Sequence, residues 1–534
     1  MSSFSLRRMC ADGSLAGGTA LLHTPSLFFS GNLCESLRTR LPASSCRNRK
    51  TSHMADVRPN SDPAIKSATG GEPATGDEAA LARRKLRQSV LLLALPALGE
   101  QLLNFCVSLF DTYLAGQVST PAHEVGIYTT TVGIAAYISW LATLIFSLVG
   151  TGTTALVSRA RGAGDVDQAN RFANRSLTLA GGLGLVVFVI LFVLAPFYAQ
   201  MQKMHDESYR VAVTFLRTDA FGQLFFCYCL IGSAALRGIG DMRTPMIVLG
   251  IVNILNICLS TSLVFGLGPI KPMGIDGIVT GTVTARICGG LLMLGVLGRG
   301  VGGLKLRLAY LAPHAEDVRR ILKIGLPAAV DGILMWSGQW LFLMIISRLG
   351  DGTQEKAYTA AHMIGMEAEA LTYLPATAWG YAAASLVGQS LGAGDPVLAR
   401  RVGNEAARQC IIVAVVGALV YLLGAPWIYE VMTREVAVRE IGVPALRFLS
   451  WYQIPLAVMV VYIHSIRGAG DTRAVMFFNI FGIMCIRLPV GYLLGIRCSG
   501  GLIGAWSGMC LDVLFRMIVA MLYYRRGRWA HTKV

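Results

Sequence analysis

Gly162-Ala163-Gly164-Asp165 recurs as Gly392-Ala393-Gly394-Asp395, and Gly238-Ile239-Gly240-Asp241 recurs as Gly468-Ala469-Gly470-Asp471. Both pairs are offset by 230, and within each half the two motifs stand 76 residues apart. The match extends outward. Ala155-Leu156-Val157-Ser158-Arg159 aligns with Ser385-Leu386-Val387-Gly388-Gln389, Leu236-Arg237 with Ile466-Arg467, and Leu95-Pro96-Ala97 with Leu326-Pro327-Ala328. Arg171, Asn174, Arg217 and Arg286 align with Arg401, Asn404, Arg447 and Arg516. The chain is two copies of one unit.

What that unit is follows from its composition. Of 534 residues, 54% are hydrophobic and only 15% charged, with a mean hydropathy of +0.55; soluble domains run near a quarter charged. From residue 89 onward, apolar stretches long enough to cross a bilayer follow one another. Twelve are expected, near 89–116, 125–150, 172–199, 209–235, 244–268, 274–298, 322–349, 357–388, 402–430, 440–466, 475–496 and 501–524. Lys and Arg within or just beside the segments on the N-terminal side of the membrane number 25, against 8 on the other side. That bias predicts both termini cytoplasmic. It also accounts for much of the net charge of +16, which in a soluble chain suggests nucleic acid; no nucleic-acid partner is needed.

Six spans separate equivalent points of the repeat, so both halves share one orientation and their symmetry axis runs along the membrane normal. The expected fold is an all-α polytopic membrane protein of twelve transmembrane helices in two parallel six-helix repeats. The N-lobe covers 89–300, a cytoplasmic linker 301–321, the C-lobe 322–524 and a cytoplasmic tail 525–534. Each Gly-x-Gly-Asp motif falls in a short inner loop. A dinucleotide site would need a strand before the glycines. Here Gly162 and Gly164, Gly238 and Gly240, Gly392 and Gly394, and Gly468 and Gly470 suit helix ends, with Asp165, Asp241, Asp395 and Asp471 capping the next helix and the loops acting as hinges.

Residues 1–88 read as a disordered extension, rich in Ser, Pro, Gly and Ala. The first 53 carry seven Lys/Arg, two acids and ten Ser. Two readings stand: an organelle transit peptide, or an over-extended start with Met54 as the true initiator. The first places the protein in an organelle membrane; the second favours a bacterial inner membrane. Cys227 and Cys229 lie on an apolar helix without partners at metal spacing and read as packing thiols. No metal site other than possible Na+ at Asp111, and no cofactor, is expected.

The inner-loop motifs resemble those of the multidrug and toxic compound extrusion (MATE) transporters, closest to the bacterial NorM- and DinF-like members. The match is carried by Pro96 with Phe110-Asp111-Thr112-Tyr113-Leu114-Ala115-Gly116, by Leu236-Arg237-Gly238-Ile239-Gly240-Asp241, by Ala361-His362 with Glu369, and by Val387-Gly388-Gln389 with Leu391-Gly392-Ala393-Gly394-Asp395. The resemblance covers roughly residues 89–524. It implies a V-shaped pair of lobes about a central cavity, with an organic, often cationic and lipophilic compound exported in exchange for H+ or Na+.

An ionisable group within a span marks function or an ion pair. Asp111, two-thirds along span one, matches the family's coupling carboxylate; a structural acid paired with Arg217 is the competing reading. Asn256 and Thr282 match the rest of the DinF-like cluster, but Ser260 stands where that branch has a second acid. Met335 stands where the NorM-like branch has a Glu. Glu369 matches a family Glu and is either a second cation site or the partner of Arg447 or Arg487. Met335, Trp336, Trp340 and Tyr373 suit an adaptable cavity, or plain packing. A lipid-linked precursor flippase of the related superfamily remains a second reading. A membrane transferase lacks its clustered His, Asp-rich or nucleophile motifs here, and without a Walker motif ATP is not the energy source. The expected partners are small organic substrates and the lipid bilayer, with the protein a monomer.

Overall fold

The computed structural model describes residues 76–117, 127–201, 204, 206–266, 271–350 and 354–532. The Ser-rich segment and Met54 lie outside them. Twelve long helices run through the described residues: α1 Gly76–Gln117, α2 Ile127–Gly162, α3 Val166–Met201, α4 Asp206–Gly238, α5 Arg243–Phe265, α6 Ile275–Arg299, α7 Ala315–Ile346, α8 Glu355–Gly392, α9 Pro396–Met432, α10 Val436–Gly468, α11 Thr472–Arg497 and α12 Gly501–Arg526. Eleven are long and apolar enough to cross a membrane. The other, α8, is 38 residues long and carries Glu367 and Glu369 in its interior.

Two elements differ from the sequence reading. Residues 76–88 are helical rather than disordered, because Ala80, Leu81, Ala82 and Leu86 are strong helix formers and Leu86 packs on a buried core. The expected linker 301–321 is shorter, because α7 begins at Ala315; its residues 301–311, with a tight turn at Val301–Leu304 and a 3-10 turn at Leu308–Tyr310, are docked along α3. Asn170 Nδ2 donates to the Gly303 carbonyl at 2.8 Å while its Oδ1 accepts from Lys305 N at 2.7 Å. Asn174 repeats the pattern one turn on, with Lys305 O at 3.0 Å and Arg307 N at 2.8 Å, and Thr178 Oγ1 donates to Leu311 O at 2.7 Å. Amides spaced i, i+4 on one helix face thus satisfy a backbone that has no ladder of its own.

The lobes are not cut cleanly at residue 301. The first half of α1, through Val90, Leu93, Ala94 and Ala97, belongs to the hydrophobic core of the C-terminal half, and Ile321 and Ile324 at the start of α7 belong to that of the N-terminal half. Pro96 and Pro327 sit at the changeovers. A proline inside a helix removes one backbone hydrogen bond and lets the axis bend, so each helix can leave one lobe for the other there.

The four Gly-x-Gly-Asp turns share one geometry. Gly164, Gly240, Gly394 and Gly470 have φ of +79, +87, +79 and +90°. Asp165, Asp241, Asp395 and Asp471 accept from the backbone N–H three residues on, at 2.8 to 3.3 Å. The first glycine of the motif has another task. A Cβ on Gly162 would land inside the Gln389 carbonyl, one on Gly392 inside that of Arg159, and one on Gly388 inside the Ser158 hydroxyl. Ser158-x-x-x-Gly162 on α2 and Gly388-x-x-x-Gly392 on α8 therefore cross backbone to backbone, the small-residue crossing that membrane helices use. Residues 159 and 389 then reach past it. Arg159 Nη2 donates to Ala469 O at 2.8 Å and Gln389 Nε2 to Gly238 O at 3.0 Å, each to the turn that ends the fourth helix of the opposite lobe. The motif end of the molecule is a closed, pseudo-symmetric seam.

Overpacking such a crossing costs about 1–3 kcal/mol. Gly162→Val is expected to lower the thermal unfolding midpoint in detergent, while Gly164→Asn, at a left-handed position facing open space, is tolerated. Wild-type stability in Gly162→Val would contradict the seam.

Candidate functional site

Among the described residues, four acids lie fully buried in the helices: Glu100, Asp219, Asp331 and Asp512. Each is held by arginine. Glu100 on α1 pairs with Arg237 on α4 at 2.5 Å, and Asp331 on α7 pairs with Arg467 on α10 at 2.5 Å. These two pairs are repeat equivalents, offset by 231 and 230. The arginines were visible in the matched Leu/Ile-Arg-Gly motifs. Their acids were missed, although each stands four residues after the proline of Leu-Pro-Ala. Arg237 also lies over the ring of Tyr381, across the seam, at 4.6 Å.

The other two acids break the symmetry. In the N-terminal half Arg286 on α6 reaches Asp219 on α4 at 2.6 Å, and Gln223 donates to the second oxygen of Asp219 at 3.1 Å. In the C-terminal half Arg516, the equivalent of Arg286, turns to Asp512 on its own helix through two hydrogen bonds of 2.7 and 2.6 Å. Arg487 adds a third at 2.9 Å and uses its other arm to reach Gln339 at 2.8 Å. Arg487 closes a π-helical turn, Gly482–Arg487, and the extra residue re-aims the side chain inward. Gly482 leaves room for the Asp512–Arg516 pair, since a Cβ there would strike the Asp512 carboxylate.

Asp111 and Glu369 stand outside these pairs. Asp111 has the Asn256 amide as its hydrogen-bonding neighbour and Arg286 as the arginine that acts on it, and its Oδ1 is buried without a hydrogen-bond partner among the described residues. Asn256 Oδ1 in turn accepts from Ser260 at 2.9 Å, so Ser260 braces the amide. Thr282 donates to Ile278 O of its own helix at 3.0 Å, the carbonyl that Ser260 also reaches at 3.4 Å, so it adjoins the Asn256–Ser260 pair. Arg217 does not pair with Asp111; it donates to Phe192 O at 3.3 Å and lies over the Phe192 ring. Glu369 accepts from Tyr452 Oη at 2.8 Å. Arg447 is exposed, and Arg487 acts on Glu369 only at longer range, its direct bonds going to Asp512 and Gln339.

The proposed cavity residues are dispersed in environment. Met335 packs its sulfur 3.7 Å from Arg516 Nη1. Trp336 is half-buried, Trp340 and Tyr373 exposed. His362 accepts from the Trp506 indole N–H at 3.0 Å in a buried aromatic cluster, a packing role.

Two six-helix repeats of apolar helices long enough to cross a bilayer, with charges paired inside them, define a polytopic membrane protein built on an internal duplication. The MatE family model matches residues 96–261 and 327–493, each match opening on the proline of Leu-Pro-Ala. The chain belongs to this family, the MATE transporters. It is 30% identical over 453 residues to a probable multidrug resistance protein NorM of Thermotoga maritima, covering 83% of this chain and 93% of that one. It is 26% identical over 452 residues to the multidrug resistance protein PmpM of Pseudomonas aeruginosa, covering 83% and 92%. Among solved structures, a MATE in complex with MaL6 superposes with a TM-score of 0.76 at 19% identity, over 83% of this chain and 96% of that one. An outward-facing multidrug resistance MATE transporter gives 0.76 at 19%, over 83% and 95%.

Removing one member of a buried pair strands the other, at about 3–5 kcal/mol. Arg286→Ala is expected to lose that much stability in a denaturation series, whereas Arg217→Ala, which strands no acid, loses less than about 1 kcal/mol. Asp219→Asn combined with Arg286→Gln is expected to recover most of the loss.

Proposed function

We propose that the protein is a secondary active antiporter. It exports organic, often cationic and lipophilic compounds and takes up H+ or Na+ in return by alternating access. The observation that carries this reading is the contrast among the acids. The fully buried ones are committed to arginine; Asp111 and Glu369, one on each lobe, are not. A carboxylate held in a low-dielectric bundle without a bound counter-charge is a site for an exchangeable cation, be it a proton, Na+ or a charged substrate. The family and the multidrug resistance relatives support the substrate class.

The chemistry of the cycle is competition. A cationic compound and a coupling ion cannot both neutralise the same carboxylate, so entry of the ion expels the compound. The closed motif end, taken as cytoplasmic from the distribution of basic residues, leaves exchange to the other side. Opening the seam then returns the ion inward. The Gly-x-Gly-Asp turns are the hinges in this reading, and the exposed Trp340 and Tyr373 are surfaces for the apolar body of the substrate. The protein functions as a monomer in a bacterial-type inner membrane.

In everted vesicles or proteoliposomes, uptake of ethidium is expected when a proton or a sodium gradient is imposed separately, and the gradient that drives it names the ion. Asp111→Asn is expected to lower coupled uptake by at least about tenfold at normal expression, the loss of one charge interaction of about 1.4 kcal/mol or more. Glu369→Gln is expected to impair it as well. No uptake under either gradient, or full uptake by Asp111→Asn, would refute the assignment.

A further inference from the structure

The two lobes bury equivalent ion pairs near the seam, but only one of these pairs is wired to the interior. In the C-terminal half, Arg467 holds Asp331, and the Asn479 amide on α11 donates to both oxygens of Asp331, at 2.9 and 3.0 Å. The Asn479 carbonyl oxygen accepts from Arg516 Nη1 at 3.3 Å. Arg516 and Arg487 share Asp512, and Arg487 also holds Gln339, whose amide meets Met366 Sδ on α8 at 3.5 Å, one turn before Glu369. A continuous side-chain chain, buried along most of its length, therefore runs Arg467–Asp331–Asn479–Arg516–Asp512–Arg487, from the closed end of the molecule to the neighbourhood of the uncommitted acid. In the N-terminal half the residue equivalent to Asn479 is Leu249, Thr282 stands for Asp512 and Ile257 for Arg487. Leu249 is buried in the apolar core and can neither donate nor accept.

We propose that Asn479 is a positioning residue that transmits the occupancy of the Glu369 site to the seam, so that the C-terminal lobe carries the link between ion binding and opening of the motif end. The proposal rests on the antiport reading for its direction. With Glu369 ionised, its negative charge shares Arg487 and Arg516 with Asp512. When a proton or cation neutralises Glu369, Asp512 is left as the anion that both guanidinium groups share; it already bonds both at 2.6 to 2.9 Å, so the change is a rotation of that carboxylate toward Arg487. Arg516 Nη1 is drawn from Asn479. The amide then loses the donor that fixes its orientation, and its grip on Asp331 loosens. Arg467 carries the change to the Gly468–Asp471 turn. There a Cβ on Gly468 would already strike the Ala384 carbonyl of α8, and Ala469 O is the acceptor for Arg159 across the seam. Small displacements at such a close-packed joint are passed on as a two-state change rather than absorbed.

The test is a double-mutant cycle read by amide hydrogen exchange in the full-length protein, which does not depend on transport. Glu369→Gln, which removes the charge, is expected to raise exchange of the amides in 388–395 and 466–471 by about fivefold or more in the wild-type background. In the Asn479→Leu background the same substitution is expected to change it by less than about twofold, and Asn479→Gln to restore the response. Asn479→Leu leaves Asp331 with Arg467 and Arg516 with Asp512, so no buried charge is stranded. In parallel, gradient-driven ethidium uptake is expected to fall about tenfold or more in Asn479→Leu. An equal response to Glu369→Gln in both backgrounds, or no response in either, overturns the relay. Wild-type protein that transports under neither gradient refutes the antiport reading, and the exchange cycle still decides the relay by itself.

Discussion

Charge inside hydrocarbon has to be neutralised where it sits, and the architecture follows from how this chain does so. Arg237 binds Glu100 and Arg467 binds Asp331, tying the first helix of each repeat to the fourth just past the proline where that first helix crosses between lobes. A buried pair of this kind adds little net stability, because desolvation consumes most of the Coulomb attraction. What it supplies is register. Only one relative placement of α1 and α4, or of α7 and α10, leaves no stranded charge. The small-residue crossing of α2 with α8 can then form, because the helices that end in the Gly-x-Gly-Asp turns are already placed.

Upon this symmetric frame the two halves differ in their carboxylates. Asp111 belongs to a braced cluster with Asn256 and Ser260. Glu369 is held by a tyrosine, while Arg487 and Arg516 are engaged by Asp512. A transporter of two identical lobes would load both in the same way. With different acids at non-equivalent positions, one lobe can hold an ion while the other answers to it. Arg286 and Arg516 show how small the sequence change behind this is: the same arginine turns to another helix in one lobe and to its own helix in the other, because Asp512 stands where the first lobe has Thr282.

Much of the architecture was legible in the residues alone. The repeat, the count of twelve spans and the family all come from local patterns: apolar runs whose length is set by bilayer thickness, and turns whose glycines and aspartates are demanded by local backbone geometry. Helix ends were less legible, as residues 76–88 show, since polar helix formers continue a helix without any apolar run to announce it. Of the candidate site, Asp111 and Asn256 come together. Thr282 adjoins them through the Ile278 carbonyl that it shares with Ser260, and Met335 is packed on Arg516.

What the sequence by itself determined is thus whatever depends on near neighbours in the chain: spans, turns, repeat and family. What only the tertiary structure decided is pairing. Glu100 and Arg237 are 137 residues apart, and Asp331 and Asn479 148 apart; nothing in the local pattern around either acid says which arginine or amide will reach it. The first half of α1 sits in the core of the far lobe for the same reason. Which acids are consumed by ion pairs, and which are left outside them, is a property of packed helices, because a charge is neutralised by whatever stands within a few ångströms of it and not by its neighbours along the chain.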